Sequence, residues 1–123
     1  MKMTKRERNR LAQSALPADT PIEDAVARWL SLQPQLRYVR LPHCAEALGF
    51  TEYGLRDRLL ARGNTYQDLL DMERIGRLEA LMDYRPRTDG EQAAAALGFS
   101  CGDVFRKWYR RHYGTTWKDR EIG

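Results

Sequence analysis

Two short stretches of this chain carry side chains able to read and grip a polyanion. The first holds Glu52, Tyr53, Arg56, Asp57 and Arg58. The second holds Gly102, Asp103, Arg106, Lys107, Arg110 and Arg111. In the major groove of a duplex an arginine bonds guanine through two acceptors. A carboxylate accepts from cytosine N4, and a tyrosine can touch phosphate or a thymine methyl. Spacings of three and four residues put each set on one helix face. Thr51, and Ser100 with Gly102, are small residues at expected helix starts. There the backbone N–H groups and the helix dipole favour phosphate, and Arg58, Arg110 and Arg111 add positive charge beside them. Charged faces are also what ordinary solvated helices present, so the residue types alone do not decide.

The context of the two stretches repeats. Ala47-Leu48-Gly49-Phe50-Thr51 recurs as Ala96-Leu97-Gly98-Phe99-Ser100. Each copy follows an Ala-containing helical segment and precedes an apolar anchor, Leu55 or Phe105, with arginines beyond it. Helix, Gly turn and second polar helix is the pattern of a helix-turn-helix.

The elements that must hold these stretches can be placed from periodicity. Helix 1 is expected over 21–32, with Thr20 as N-cap, Pro21 at the first helical position and Glu23 closing a capping box. Its apolar face is Ile22, Ala25, Val26, Trp29 and Leu30, and Pro34 ends it. Helix 2 is expected over 42–48, with Cys44, Ala45 and Leu48 inward. Helix 3, capped by Thr51, should run 52–62 with Leu55, Leu59 and Leu60 buried. Helix 4, 65–83, has Tyr66, Leu69, Leu70, Met72, Ile75, Leu78, Leu81 and Met82 at helical spacing. At 1.5 Å per residue it spans about 28 Å, close to the roughly 34 Å between successive major grooves. Asp89 with Gln92 should box helix 5 (90–96), Ser100 should cap helix 6 (101–113), and a last turn or short helix is expected over 116–121. No segment alternates as a β-strand would. The fold class is all-α: two helix-turn-helix subdomains, 21–64 and 84–123, joined by a long linker helix, 65–83, about seven helices in all, behind a basic tail, 1–20.

Composition sets the outer limits. The chain has 123 residues, 42% of them hydrophobic, with three Trp and six Tyr, enough for a core. The net charge is +4 and the pI about 9.3. The excess is concentrated: Lys2, Lys5, Arg6, Arg8 and Arg10 stand against Glu7 alone, and Arg106, Lys107, Arg110 and Arg111 share a stretch without acids. Such clusters attract phosphate, and Lys5 and Arg6 of the tail join the phosphate candidates. No apolar run is long enough to span a membrane, and the basic N-terminus has no apolar h-region, so a cytoplasmic location without membrane partners is expected. Cys44 and Cys101 read as free thiols; Cys101, at a helix start beside cations, could alternatively be a redox sensor. His43 and His112 lack metal-ligand spacing, so neither metal nor cofactor is expected. Without a phosphate loop, GxSxG or HExxH, the chain does not read as an enzyme.

The residues resemble the DNA-binding domain of the AraC/XylS family over 39–121, and helix 1 extends the likeness back to about residue 22. The match runs through Ala45-Glu46-Ala47-Leu48-Gly49-Phe50-Thr51, Leu55, Arg58-Leu59, Arg74-Ile75 and Leu81-Met82. It continues at Leu97-Gly98-Phe99-Ser100, Phe105, Arg110-Arg111 and Tyr113-Gly114. The resemblance implies a sequence-specific regulator that binds double-stranded DNA, commonly an activator contacting RNA polymerase, bacterial and nucleoid-associated. It places base reading on Tyr53, Arg56 and Asp57 of the first head, and on Asp103, Arg106 and Lys107 of the second. No small-molecule effector domain is expected in this chain, which looks like the stand-alone, MarA-like type. The chain departs from the family at Trp117 (usually Pro) and Arg120 (usually Tyr). Gly90 and Ala93, smaller than the usual apolar residues, predict a loosely packed second head. Acids on the reading faces favour a competing function: an accessory or antagonist module of the same fold that binds RNA polymerase or another regulator, with weak DNA binding.

Overall fold

A computed structural model describes residue 4 and residues 20–117. Its described residues form six helices and no strand: α1 Ile22–Ser31, α2 Leu41–Leu48, α3 Glu52–Ala61, α4 Tyr66–Tyr84, α5 Gly90–Leu97 and α6 Gly102–Tyr113. The fold is all-α. A seventh element is absent among the described residues, since 114–117 are not helical and the rest of the expected final turn lies outside them.

The chain divides into two compact units. One comprises the chain up to Pro34 with Val39–Glu73; the other comprises Gln35–Tyr38 with the chain from Arg74 onward. In the first, α1, α2 and α3 pack together. Their inward faces bury Val26, Trp29, Leu30, Cys44, Ala45, Ala47, Leu55 and Leu59, and α4 adds Leu69 and Leu70. Each such large aliphatic side chain contributes about 1.5–3 kcal/mol by leaving water. Leu60, expected inside, is 56% exposed, and Met72 of the α4 apolar period is 65% exposed. Leu60 follows Leu59 directly, and one step of about 100° along a helix turns a side chain off the buried face.

The α1 start also differs from expectation. Pro21, not Thr20, is the N-cap, and no side chain caps the helix; the Pro21 carbonyl accepts from the N–H groups of Asp24 and Ala25 instead. Glu23 does not close a capping box. Its carboxylate pairs with Arg62 just past the end of α3, and that hydrogen bond holds the Glu23 carboxyl below its ordinary range.

In the second unit α5 packs on α6 around Leu78, Ala93, Ala94, Leu97, Phe99, Phe105, Trp108 and Trp117, with Ile75, Met82 and Tyr109 against them. Trp117 meets Phe105 edge-on with centroids 5.0 Å apart, and Phe99 lies 5.3 Å from Trp108. The Arg74 guanidinium lies 4.1 Å over Phe99, and its Nε donates to the Leu97 carbonyl at 3.0 Å. The loose packing expected at Gly90 and Ala93 is not found. Ala93 is fully buried in this aromatic core, and the space above Gly90 is filled by the Arg106 guanidinium.

The repeated motif folds the same way twice. Gly49 and Gly98 both take φ +82°, a conformation that costs an L side chain about 1–2 kcal/mol. The next N–H reaches back over the turn in each copy, Phe50 to Ala45 O at 2.8 Å and Phe99 to Ala94 O at 2.9 Å, which satisfies carbonyls the ending helix leaves open. The copies differ in what packs on them. A Cβ on Gly49 would meet nothing, whereas one on Gly98 would lie 2.5 Å from the backbone of Leu36 and Arg37, where Leu36 is buried in this unit.

Candidate nucleic-acid interface

The start of α3 is fixed as the sequence predicts: the Thr51 hydroxyl accepts from Gly54 N–H at 2.9 Å. This cap is worth about 1 kcal/mol, and it commits the Thr51 oxygen to the helix. From that start Tyr53 stands 74% exposed, and Arg56, Asp57 and Arg58 are exposed on the same short helix. Arg56 pairs with Glu52 one turn earlier at 3.0 Å, both side chains about half exposed. A pair this exposed is worth well under 1 kcal/mol, so it yields readily to a stronger anion or to a base edge. The Arg58 guanidinium lies 4.8 Å over the Phe50 ring of the turn, a cation–π contact that orients the head group while the residue stays exposed.

The second head is built differently. Ser100 does not cap α6; Cys101 is the N-cap and makes no side-chain cap bond. The helix start is instead closed from α5, where Glu91 Oε2 accepts from Gly102 N–H at 3.0 Å. Gly102 is buried, so its N–H is not presented as an open phosphate contact. Asp103, Lys107, Arg110 and Arg111 are exposed. Arg106 is only 33% exposed, with Nη1 at 3.3 Å from Asp103 and 3.9 Å from Glu91. The structure therefore brings Asp103 and Arg106 together, and leaves Lys107, Arg110 and Arg111 at the surface. Lys5 and Arg6 lie outside the described residues.

Sequence reading missed Glu91. Residue 91 carries no expected role, and nothing local marks it as the cap of a helix eleven residues on. The one trace in the sequence is small residues at Gly90 and Gly102, which leave room for the Arg106 and Glu91 side chains.

Each cysteine is free. Cys44 is in the first core, and burial pushes its thiol up to about 12. Cys101 is exposed at the α6 start. No described helix is long and apolar enough to cross a membrane.

No family model matches this sequence, and no curated protein does. Among solved structures the chain is similar to the transcriptional regulator CdpR from Pseudomonas aeruginosa, with a TM-score of 0.71 and 29% identity over 77% of this chain. The chain spans 30% of that protein's length. It shares its fold with part of a transcriptional regulator.

Proposed function

We propose that this chain is a sequence-specific, double-stranded DNA-binding transcription regulator of the AraC/XylS type. The observation that carries the reading is the twofold helix, left-handed Gly turn and polar helix: Gly49 before α3 and Gly98 before α6. The likeness to part of a transcriptional regulator supports it. In this reading α3 and α6 enter successive major grooves. Tyr53, Arg56 and Asp57 read bases for the first head, and Lys107 with Asp103 and Arg106 for the second. Arg58, Arg110 and Arg111 grip phosphate, together with the hydroxyls of Thr51 and Ser100 at the helix starts and Lys5 and Arg6 of the tail; Gly102, whose N–H is taken by Glu91, drops out of the set. Activation through contact with RNA polymerase is the further part of the proposal.

Selection from a random pool of duplexes about 25 base pairs long tests it. The expected result is an enriched motif of two half-sites about one helical turn apart. Arg56→Ala and Lys107→Ala should each weaken binding to that motif by about 1–3 kcal/mol and relax preference at one position. Unchanged affinity in both would remove this reading mode.

A second reading, a protein-interaction module of the same fold, has its own support. The second unit holds a groove of about 220 Å³ lined by Leu78, Met82, Tyr109, Tyr113 and Trp117 and rimmed by Glu79 and Asp83. Its acids suit a cationic protein segment rather than phosphate. A stoichiometric protein partner with no duplex binding at low salt would select this reading.

A further inference from the structure

The Arg106 side chain has a seat made for it. A Cβ on Gly90 would lie 2.5–2.7 Å from Nη2, Cζ and Nε of Arg106, so the guanidinium lies flat against the glycine backbone. A Cβ on Gly102 would collide with the Glu91 carboxylate and come within 2.9 Å of Arg106 Nη1. Both glycines are buried. Glu91 bridges the seat, with one oxygen on Gly102 N–H and the other 3.9 Å from Arg106 Nη1, while Asp103 closes on Nη1 at 3.3 Å. The first head has no such arrangement around the arginine that follows its apolar anchor. Arg56 keeps 54% of its side chain exposed, against 33% for Arg106.

Charge gives the seat a consequence. Two carboxylates, Glu91 of α5 and Asp103 of α6, hold one guanidinium, so this cluster is net negative at the start of the helix that is proposed to face phosphate. A guanidinium committed to carboxylates makes no phosphate or guanine contact until it is released, and the carboxylates themselves repel phosphate.

We propose that Glu91 gates the second head: it stores the Arg106 guanidinium against Gly90, and release of Arg106 from that seat sets how tightly α6 binds duplex DNA. The inference rests on the DNA-binding reading above. Glu91→Gln keeps an amide oxygen for Gly102 N–H but removes one of the two carboxylate charges beside Arg106, leaving the hydrogen bond to Asp103. Gly90→Ala evicts the guanidinium while leaving Glu91 in place; the atoms it would meet are the far end of a flexible side chain, so the helix itself is spared.

The test measures binding of the full chain to the labelled random duplex pool across a salt series, with thermal melting of each variant alongside. Glu91→Gln is expected to tighten binding about threefold, in keeping with a largely exposed ion pair, and to steepen the salt slope by up to about 0.9, the signature of one added phosphate contact. Gly90→Ala should shift affinity the same way. Arg106→Ala should erase the gain when combined with Glu91→Gln, a coupling that a double-mutant cycle isolates. Weaker or unchanged binding by Glu91→Gln and by Gly90→Ala, beside a wild-type chain that binds, overturns the gate and leaves the DNA reading intact. Absence of binding by wild type and Glu91→Gln alike at low salt overturns the DNA reading, and the gate with it. Binding by Glu91→Gln where wild type has none supports a gate that is fully closed.

Discussion

Two cysteines of one chain end in opposite environments because of where their helices face. Cys44 sits on the buried side of α2, where a thiolate has no water to solvate it, and its thiol is pushed up to about 12. Cys101 opens α6 and is exposed. A thiol reagent at neutral pH should therefore label one cysteine per chain, with the second reacting only as the protein unfolds; two rapid equivalents would contradict the burial of Cys44. The raised value also gives stability a pH dependence. Because the folded thiol titrates above the unfolded one, its contribution is whole below about pH 8.5 and is lost as pH rises from there toward 12. The loss is at most about 1.4 kcal/mol per pH unit. Urea midpoints should show the gap between wild type and Cys44→Ala narrowing between pH 8 and pH 10. A constant gap would mean that the thiol ionises as easily in the fold as out of it.

At the scale of elements, two identical turns predict different costs for the same substitution. Gly49→Ala places a methyl in open space at φ +82° and should cost about 1–2 kcal/mol in backbone strain. Gly98→Ala adds to that strain a collision with the backbone of Leu36 and Arg37, and should cost distinctly more, about 3 kcal/mol or beyond. Equal losses in denaturant unfolding would mean that the Leu36 segment yields without cost. Gly76 behaves oppositely. It is exposed in α4 with nothing around its Cβ, so Gly76→Ala should stabilise the chain by about 0.5–1 kcal/mol, a rise of a few degrees in Tm. These cases show what the sequence made legible. The Thr51 cap and the Asp89–Gln92 box could be read because the bonded groups lie three residues apart. The Thr20 and Ser100 caps are not found because Pro21 and Cys101 stand at the N-cap positions, and the acids Glu23 and Glu91 reach distant partners, Arg62 and Gly102. Periodicity fixed which helices exist, while the pairing of charges between helices has no local pattern to read. The same limit applied at the candidate interface, where the residue types were visible but the seat of Arg106 was not.

For the molecule as a whole, the question is how much positive charge remains for a duplex after the fold has used its share. The sequence holds 21 Lys and Arg against 17 Asp and Glu, a small surplus. Cations engaged within the fold include Arg62 with Glu23, Arg56 with Glu52, and Arg106 with Glu91 and Asp103. On the two reading helices Arg58, Lys107, Arg110 and Arg111 remain exposed. If those four each meet a phosphate, log affinity should fall against log salt with a slope of about −3.6, and binding should drop about 150-fold between 50 and 200 mM salt. Removing Arg110 and Arg111 together, as alanines, should flatten the slope by about 1.8. Fluorescence anisotropy on a duplex carrying the selected motif reads both quantities. A protein partner seated in the aromatic groove beside Glu79 and Asp83 would respond differently. Burial of apolar area changes little with salt, and two acids at a rim add only a shallow dependence. A slope near zero on duplex DNA would therefore remove the phosphate grip. A steep slope with no enriched motif would keep the grip and remove the base readers Tyr53, Arg56 and Lys107, because phosphate contacts position a protein on DNA without telling it the sequence.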